Sequence, residues 1–182
     1  YPAHNVVGEE HGSISSDGPW SWVIDPIAGT QRFIHGQPTF GCLIALLYEH
    51  QPVLGIIDMP ALNERWLGVT GKPSLHNGDD CQSNTQTRLP EATIFATSID
   101  MFTEPERRQF DRLSSAARFR NFGADCYAYG HLASGYADIV MESDMSIYDF
   151  LALVHVIEGS GGCISDWNGI PLNDLSGRQD LA

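Results

Sequence analysis

Three acidic positions along the chain stand where proteins commonly hold metals or phosphates. Gly8-Glu9-Glu10 lies just upstream of an apolar run, Trp20 to Asp25, which reads as a strand ending on Asp25. Asp149 falls in the first turn of a helical segment much later in the chain. Between them, Asp25-Pro26-Ile27-Ala28-Gly29-Thr30 is a turn. If it opens a helix, its free N–H groups would aim at a phosphate. Hard divalent cations such as Mg²⁺ take oxygen ligands, few from protein and the rest from water and substrate phosphate. Together these groups would serve metal-assisted phosphoryl transfer, the metal acting as Lewis acid and as activator of a water. Spacing alone does not separate this from the carboxylates that any acidic protein carries at strand ends. The odd letter is Ala28, whose side chain offers no chemistry.

Such groups act together only if the fold brings them to one place. Trp20 to Asp25 reads as a strand, and Thr39 to Pro60 as two long apolar strands around the polar turn Glu49-His50-Gln51, an antiparallel hairpin. Glu64 to Thr70 continues it, and Gly71 to Asp80 is turn-rich. A short strand falls within Thr93–Ser98. Glu104 to Phe119 is an amphipathic helix with Pro105 in its first turn and Phe110, Leu113 and Ala117 on one stripe. Asp125 to Gly135 predicts a second helix and Ala137 to Glu142 a strand. Ser146 to Gly162 predicts a third helix, capped by Ser146 and stopped by glycines, before a strand over Cys163–Trp167. A meander followed by alternating helices and strands is α+β or layered α/β.

The 182 residues, 42% of them hydrophobic, suffice for one well-packed domain. A net charge of −13 repels nucleic acid and anionic membrane, so neither is an expected partner. A small anionic substrate stays admissible if a bound cation reverses the sign locally. Four scattered cysteines without metal-finger spacing imply reduced thiols and a cytoplasmic setting. No apolar run approaches the ~20 residues of a membrane span, and the seven histidines lack zinc-ligand spacing.

Val6–Glu10 (VVGEE), Trp22–Leu46 (WVIDPIAGTQRFIHGQPTFGCLIAL) and Ile147–Leu172 (IYDFLALVHVIEGSGGCISDWNGIPL) resemble the inositol monophosphatase-like family of Mg²⁺-dependent phosphatases. That family carries a G-E-E segment, D-P-[IL]-D-G-T followed by Phe, and W-D or Y-D before a helix ending in a G-G turn. All three occur here in order, and the likeness runs from Val6 to Leu172. It implies a layered αβαβα sandwich over residues 1–182, with two subdomains meeting near residues 85–95. It also implies a helical segment before Tyr1, a final strand after Ala182, and a homodimer.

The resemblance also implies residue roles. Glu9, Asp25 and the Ile27 carbonyl would hold a first metal, and Asp25 with Asp149 a second, of the two or three Mg²⁺ usual in the family. Thr30, paired with Glu9, would orient and help deprotonate the attacking water. The N–H groups of Gly29 and Thr30 would bind phosphate, and Glu10 would lie further out. The family's second Asp falls on Ala28, so one metal ligand is lost and an impaired catalyst is expected. An engineered inactivation, a pseudoenzyme's substitution, and a site working with fewer metals all accommodate Ala28; the intact letters around it favour the first.

Phe122–Glu142 and Tyr148–Trp167 place the likeness nearest the histidinol-phosphatase branch. It implies that Asp125 binds the ammonium of histidinol phosphate, a charge-assisted hydrogen bond. Glu142 would be a second anchor, for the amine or for a sugar hydroxyl. An inositol or other sugar phosphate is the alternative substrate, and a non-catalytic sensor of a phosphorylated metabolite the alternative function. Plainer readings stand beside these. Asp125 could cap its helix, and Glu142 could be a surface residue. Asp138 and Asp166 fit structural and turn roles, and His155 a satisfied core histidine.

Overall fold

The computed structural model describes residues 1–10, 12–173 and 179–181. Its main sheet grows from the expected hairpin. Strands β4 (Gly41–Tyr48) and β5 (Gln51–Met59) are joined by Glu49 and His50, both at positive φ, 47° and 68°. That is the two-residue geometry whose twist matches the strands it joins. On β4, buried and half-buried residues alternate, as period two requires when one face packs inward.

Around this hairpin lie β1 (Asn5–Gly8), β2 (Gly12–Ile14), β3 (Trp20–Ala28), β6 (Glu64–Val69), β7 (Leu75–His76) and β8 (Asp79–Asp80). The eight strands run in the order β2-β1-β3-β4-β5-β6-β7-β8, antiparallel except for the pair β1 and β3. The turn-rich segment from Gly71 is itself a small hairpin, β7 to β8, turning at Asn77 and Gly78 with φ of 51° and 95°. A second sheet, wholly parallel, holds β10 (Phe119–Phe122), β9 (Thr93–Ala96) and β11 (Ile139–Val140) in that order. Strands β12 (Glu142–Met145) and β13 (Gln179–Leu181) form an antiparallel pair.

Helices α1 (Thr30–Ile34), α2 (Glu104–Ser114), α3 (Cys126–Ala133), α4 (Ile147–Phe150) and α5 (Val154–Gly159) complete a mixed α/β fold. Helix α2 starts in a capping box between Thr103 and Glu106. It stops five residues short of the expected Phe119. The N–H groups of Arg118 and Phe119 donate to the Ala92 carbonyl instead, which feeds the chain into β10, a strand absent from the sequence reading.

The expected helix over Ser146–Gly162 is two helices with a turn at Leu151–Leu153. Close packing on the sheet goes with the break. A Cβ on Gly55 would stand 1.9 Å from the Ala152 carbonyl oxygen, and one on Gly68 would stand 2.2 Å from the His155 carbonyl carbon. Only glycine allows that approach. The strand expected at Cys163–Trp167 is absent: Asp166 makes an isolated bridge, and its carboxylate accepts from the N–H groups of Asn168 and Ile170 in a turn.

The main core lies between the large sheet and helices α3 to α5, with Leu43, Leu47, Ile57, Met59 and Trp66 meeting Phe150, Leu153 and Ile157. A second core of Ile94, Ala96, Phe102, Phe110 and Met141 lies against the parallel sheet. Among the described residues no helix is long and apolar enough to cross a membrane.

Candidate active site

The parallel pairing of β1 with β3 brings Glu9 to Asp25. Glu9 extends the ladder by donating its N–H to the Ile24 carbonyl at 3.2 Å, which sets its side chain beside the end of β3. Between Asp25 and Ala28 the β3–β4 register slips: Asp25 faces Leu43 and Ala28 faces Gly41, so three steps oppose two. Such a bulge re-aims side chains at a sheet rim. Here it turns Asp25 inward, 2% exposed, with one carboxylate oxygen accepting from the Ile27 N–H at 2.9 Å.

Burial raises the Asp25 carboxyl from 3.8 to about 7, and the charge of Glu9, a hydrogen bond shared with Glu9, and the charge of Asp149 add to it. A carboxyl held this way keeps its proton near neutrality unless a cation takes the proton's place.

Gly29 follows at φ 80°, ψ 45°, left-handed backbone that favours glycine. Its carbonyl accepts from the N–H groups of Arg32 and Phe33, which starts α1. The Thr30 hydroxyl donates to the Ile27 carbonyl at 3.1 Å; it does not bond to Glu9, the partner expected for it. Glu10 is exposed. Asp149, third residue of α4 after its Ser146 cap, accepts from the Ser146 N–H at 2.8 Å.

All these groups line one cavity of about 510 Å³: Glu9, Asp25, Ile27, Gly29, Thr30, Asp125 and Asp149, with Arg32, Thr97 and Asp100. A second cavity, about 430 Å³, adjoins it through Gly29, Thr97, Asp100, Met101, Asp125 and Asp149, and adds Ala28, Cys126, Tyr129 and Glu142. Apart from Glu10, every residue to which the resemblance gives a role thus lines one of two neighbouring cavities that share part of their wall.

Asp125 and Glu142 need correction in detail. Asp125 precedes α3 at φ 47° but its side chain makes no capping bond. It accepts from the Arg32 Nε at 2.7 Å, an ion pair. Arg32 crosses Gly123 so closely that a Cβ there would meet its Nη2 at 2.9 Å. Glu142 is no surface residue. It is 1% exposed, and its Oε1 accepts from both the N–H and the hydroxyl of Thr97 at 2.9 Å. Its Oε2 has no hydrogen-bond partner among the described residues. Burial raises its carboxyl from 4.5 to about 8; the Thr97 bonds pull downward, and Asp125 and Asp149 push it further up.

Arg32, Thr97 and Tyr129 were not singled out by sequence reasoning. Arg32 stands 93 residues from its partner, beyond any local pattern. It had one signal, a lone arginine beside a phosphate-type turn in a strongly acidic chain. Tyr129 follows Asp125 by four residues, the spacing that puts two side chains on one helix face. Asp138 is structural, accepting from the Thr93 N–H. His155 is satisfied by the Pro52 carbonyl, Thr70 and Glu158.

The donor set fits a hard cation in part. Two carboxylates sharing a hydrogen bond, beside the Ile27 carbonyl, suit one Mg²⁺. Among the described residues no three or more His, Cys, Asp or Glu side chains are grouped to hold a metal. Ala28, where the resemblance expects a further carboxylate, lines the second cavity and offers no donor.

The inositol monophosphatase family model matches residues 1–179, and the chain belongs to that family. It is 46% identical, over 92% of its length and 49% of the relative's, to the chloroplastic bifunctional phosphatase IMPL2 of Arabidopsis thaliana. It is 33% identical to the histidinol-phosphatase of Chlorobaculum parvum, over 93% of this chain and 66% of that protein. The chain therefore spans about half of the first relative and about two thirds of the second. A solved inositol monophosphatase from Zymomonas mobilis superposes with a TM-score of 0.90 at 39% identity, covering 99% of this chain and 70% of that one. The architecture is thus that of the inositol monophosphatases, and the family's activity is that of a phosphatase on small phosphorylated compounds.

Proposed function

We propose that the joined cavities bind Mg²⁺ and a small phosphomonoester and are built for its hydrolysis, with histidinol phosphate as the substrate. One observation carries this reading: Glu9, Asp25, Asp149 and the Gly29–Thr30 turn line a single cavity, and Gly29, Asp125 and Asp149 also line a second one that includes Glu142.

In this reading Glu9, Asp25 and the Ile27 carbonyl hold the first cation, and Asp25 with Asp149 the second. Bound there, Mg²⁺ supplies a Lewis acid for the phosphoryl oxygens and lowers the pKa of a water. The Gly29 and Thr30 N–H groups take phosphate oxygens at the start of α1. The Thr30 hydroxyl, now on the Ile27 carbonyl, turns toward the attacking water. Asp125 and Glu142 receive the organic half; Asp125 does so while sharing its carboxylate with Arg32. The names of relatives support both the histidinol-phosphate and the inositol-phosphate readings, and the acidic lining favours a substrate with an ammonium. Ala28 leaves the second cation underligated and the catalyst impaired. The same substitution favours a second reading, a binding-only protein for phosphorylated metabolites. Free thiols at all four cysteines support a reducing, cytoplasm-like setting, and a homodimer belongs to the proposal.

Calorimetric titration of L-histidinol phosphate and myo-inositol 1-phosphate into the protein with Mg²⁺ tests the substrate. A charge-assisted hydrogen bond contributes about 1.5–3 kcal/mol, so histidinol phosphate should bind at least about tenfold tighter. Tighter binding of inositol phosphate would remove histidinol phosphate from the assignment. No binding of either would remove the phosphoester site.

A further inference from the structure

Among the described residues, strand β10 is the outer strand of the parallel sheet, paired with β9 on one side only. All four of its residues are exposed, Phe119 by 53% and Phe122 by 48%. An open strand edge presents unpaired N–H and C=O groups, a template for another extended chain.

The hydrogen bonds to β9 fix which groups are left. Phe119 donates its N–H to the Ala92 carbonyl, and Gly123 donates to the Ala96 carbonyl, both at 3.2 Å. In the parallel register that sets Phe119 against Thr93 and Phe122 against Ala96, alternate residues bond inward: Phe119, Asn121 and Gly123. Arg120 and Phe122 therefore turn their N–H and C=O groups to the open side.

Antiparallel pairing about a two-fold axis at Asn121 sets Arg120 of one copy opposite Phe122 of the other, and the reverse. Those are the residues whose backbone groups point outward, so each facing pair exchanges both of its hydrogen bonds. The side chains agree with that register. Each guanidinium meets an aromatic ring, a favourable cation–π pair. The two Asn121 amides face each other, and Phe119 faces Gly123, which leaves room for its ring. An axis at Arg120 would instead bring two arginines face to face, which is unfavourable.

Charge also favours a copy of this chain. Residues 104–122 carry five arginines against three carboxylates, in a molecule of net charge −13. Ion pairs of Arg107 and Arg120 with Asp111, and of Arg108 with Glu104, bring the segment near local balance. Two such molecules repel on approach, and least where each presents this segment.

We propose that the open edge of β10 is the surface on which two copies of this chain meet, antiparallel and centred on Asn121. The expectation of two copies rests on the reading above; the surface rests on the strand edge.

Sedimentation equilibrium of the protein should show a dimer at micromolar concentration. Arg120→Pro removes an outward N–H and leaves the β9 ladder its bonds, since proline is tolerated on edge strands. Each copy then lacks one bond to the other, so association should weaken at least about 10-fold. Asn121→Asp and Asn121→Lys each set like charges opposite across the axis and should weaken self-association about 2- to 5-fold. Mixed together, those two variants should form a mixed dimer tighter than either alone. A monomer at every concentration overturns the proposal. So does a dimer that neither the Arg120 nor the Asn121 substitutions weaken, because another surface then holds it. A monomer that still binds L-histidinol phosphate in Mg²⁺ overturns this surface and leaves the phosphoester reading standing. A dimer that responds to these substitutions and binds no phosphate compound supports the surface and removes the phosphoester reading.

Discussion

Asp25 and Glu142 are the site's two carboxyls held away from their ordinary ionisation, and the sign of the effect is fixed. Both are acids whose carboxyls rise on folding, to about 7 and about 8. The unfolded chain releases these protons near pH 4, and the folded protein holds them until pH 7 to 8. Stability from these two groups is therefore fully present below about pH 4 and is lost as pH rises through 7 and 8. Thermal unfolding without divalent cations should show a transition temperature falling from pH 5 to pH 8. Glu142→Gln should flatten that fall and stabilise the ligand-free protein at pH 8 by on the order of 1–3 kcal/mol. An unaltered slope would mean that Glu142 is ionised at no cost. Residues that share a motif were legible here, as Glu9, Asp25, Thr30 and Asp149 line one cavity. Pairings across the chain were not. Nothing local ties Arg32 to Asp125 or Thr97 to Glu142, and both pairings remake the expected substrate contacts.

Two glycines set how the elements meet around the site. Gly29 sits at φ 80°, and a Cβ there would come 3.3 Å from the Cβ of Asp125. Gly29→Ala should cost about 1–3 kcal/mol from the backbone alone and weaken phosphate binding by displacing Asp125; calorimetry with inorganic phosphate measures it. Gly68 lies under α5, where a Cβ would stand 2.2 Å from both the His155 carbonyl carbon and the Val156 nitrogen. Backbone cannot yield as a side chain does, so Gly68→Ala should cost more than about 4 kcal/mol, seen as a loss of cooperative unfolding at ordinary temperature. Full stability in Gly68→Ala would contradict this packing.

The long hairpin was legible because period-two patterning and the turn at Glu49–His50 agree. The strands missed, β1, β2, β7, β8, β10, β12 and β13, are short and carry little pattern of their own. The parallel ones, β1 and β10, are held by partners distant in sequence. The third helix read as continuous because Phe150 to Ile157 is apolar except for His155. That signals burial without marking a turn.

At the scale of the whole molecule, a net charge of −13 sets the terms on which an anion can bind. Among the described residues Arg32 is the single cationic side chain lining the Glu9 cavity, and Asp125 pairs with it. In the proposed reading a phosphate dianion therefore needs cations brought with it, which would make Mg²⁺ a condition of binding as well as of chemistry. The large sheet ends at Asp80 and the parallel sheet begins at Thr93. We propose the boundary between two subdomains there, near residues 85–95, with the joined cavities drawing residues from both sides of it.

The central claim is that this is a phosphoester site from which Ala28 has removed a metal ligand. Ala28 sits in the β3 bulge and lines the Glu142 cavity together with Asp149, and in the proposed reading a carboxylate placed there would ligate the second cation. The most direct measurement is Mg²⁺-dependent phosphate release from L-histidinol phosphate by the protein as it stands and by Ala28→Asp. Metal stabilisation of transition-state charge contributes several kcal/mol, so Ala28→Asp should be faster by at least about 100-fold. Equal rates in the two forms, or no release from either with Mg²⁺ saturating, would contradict it.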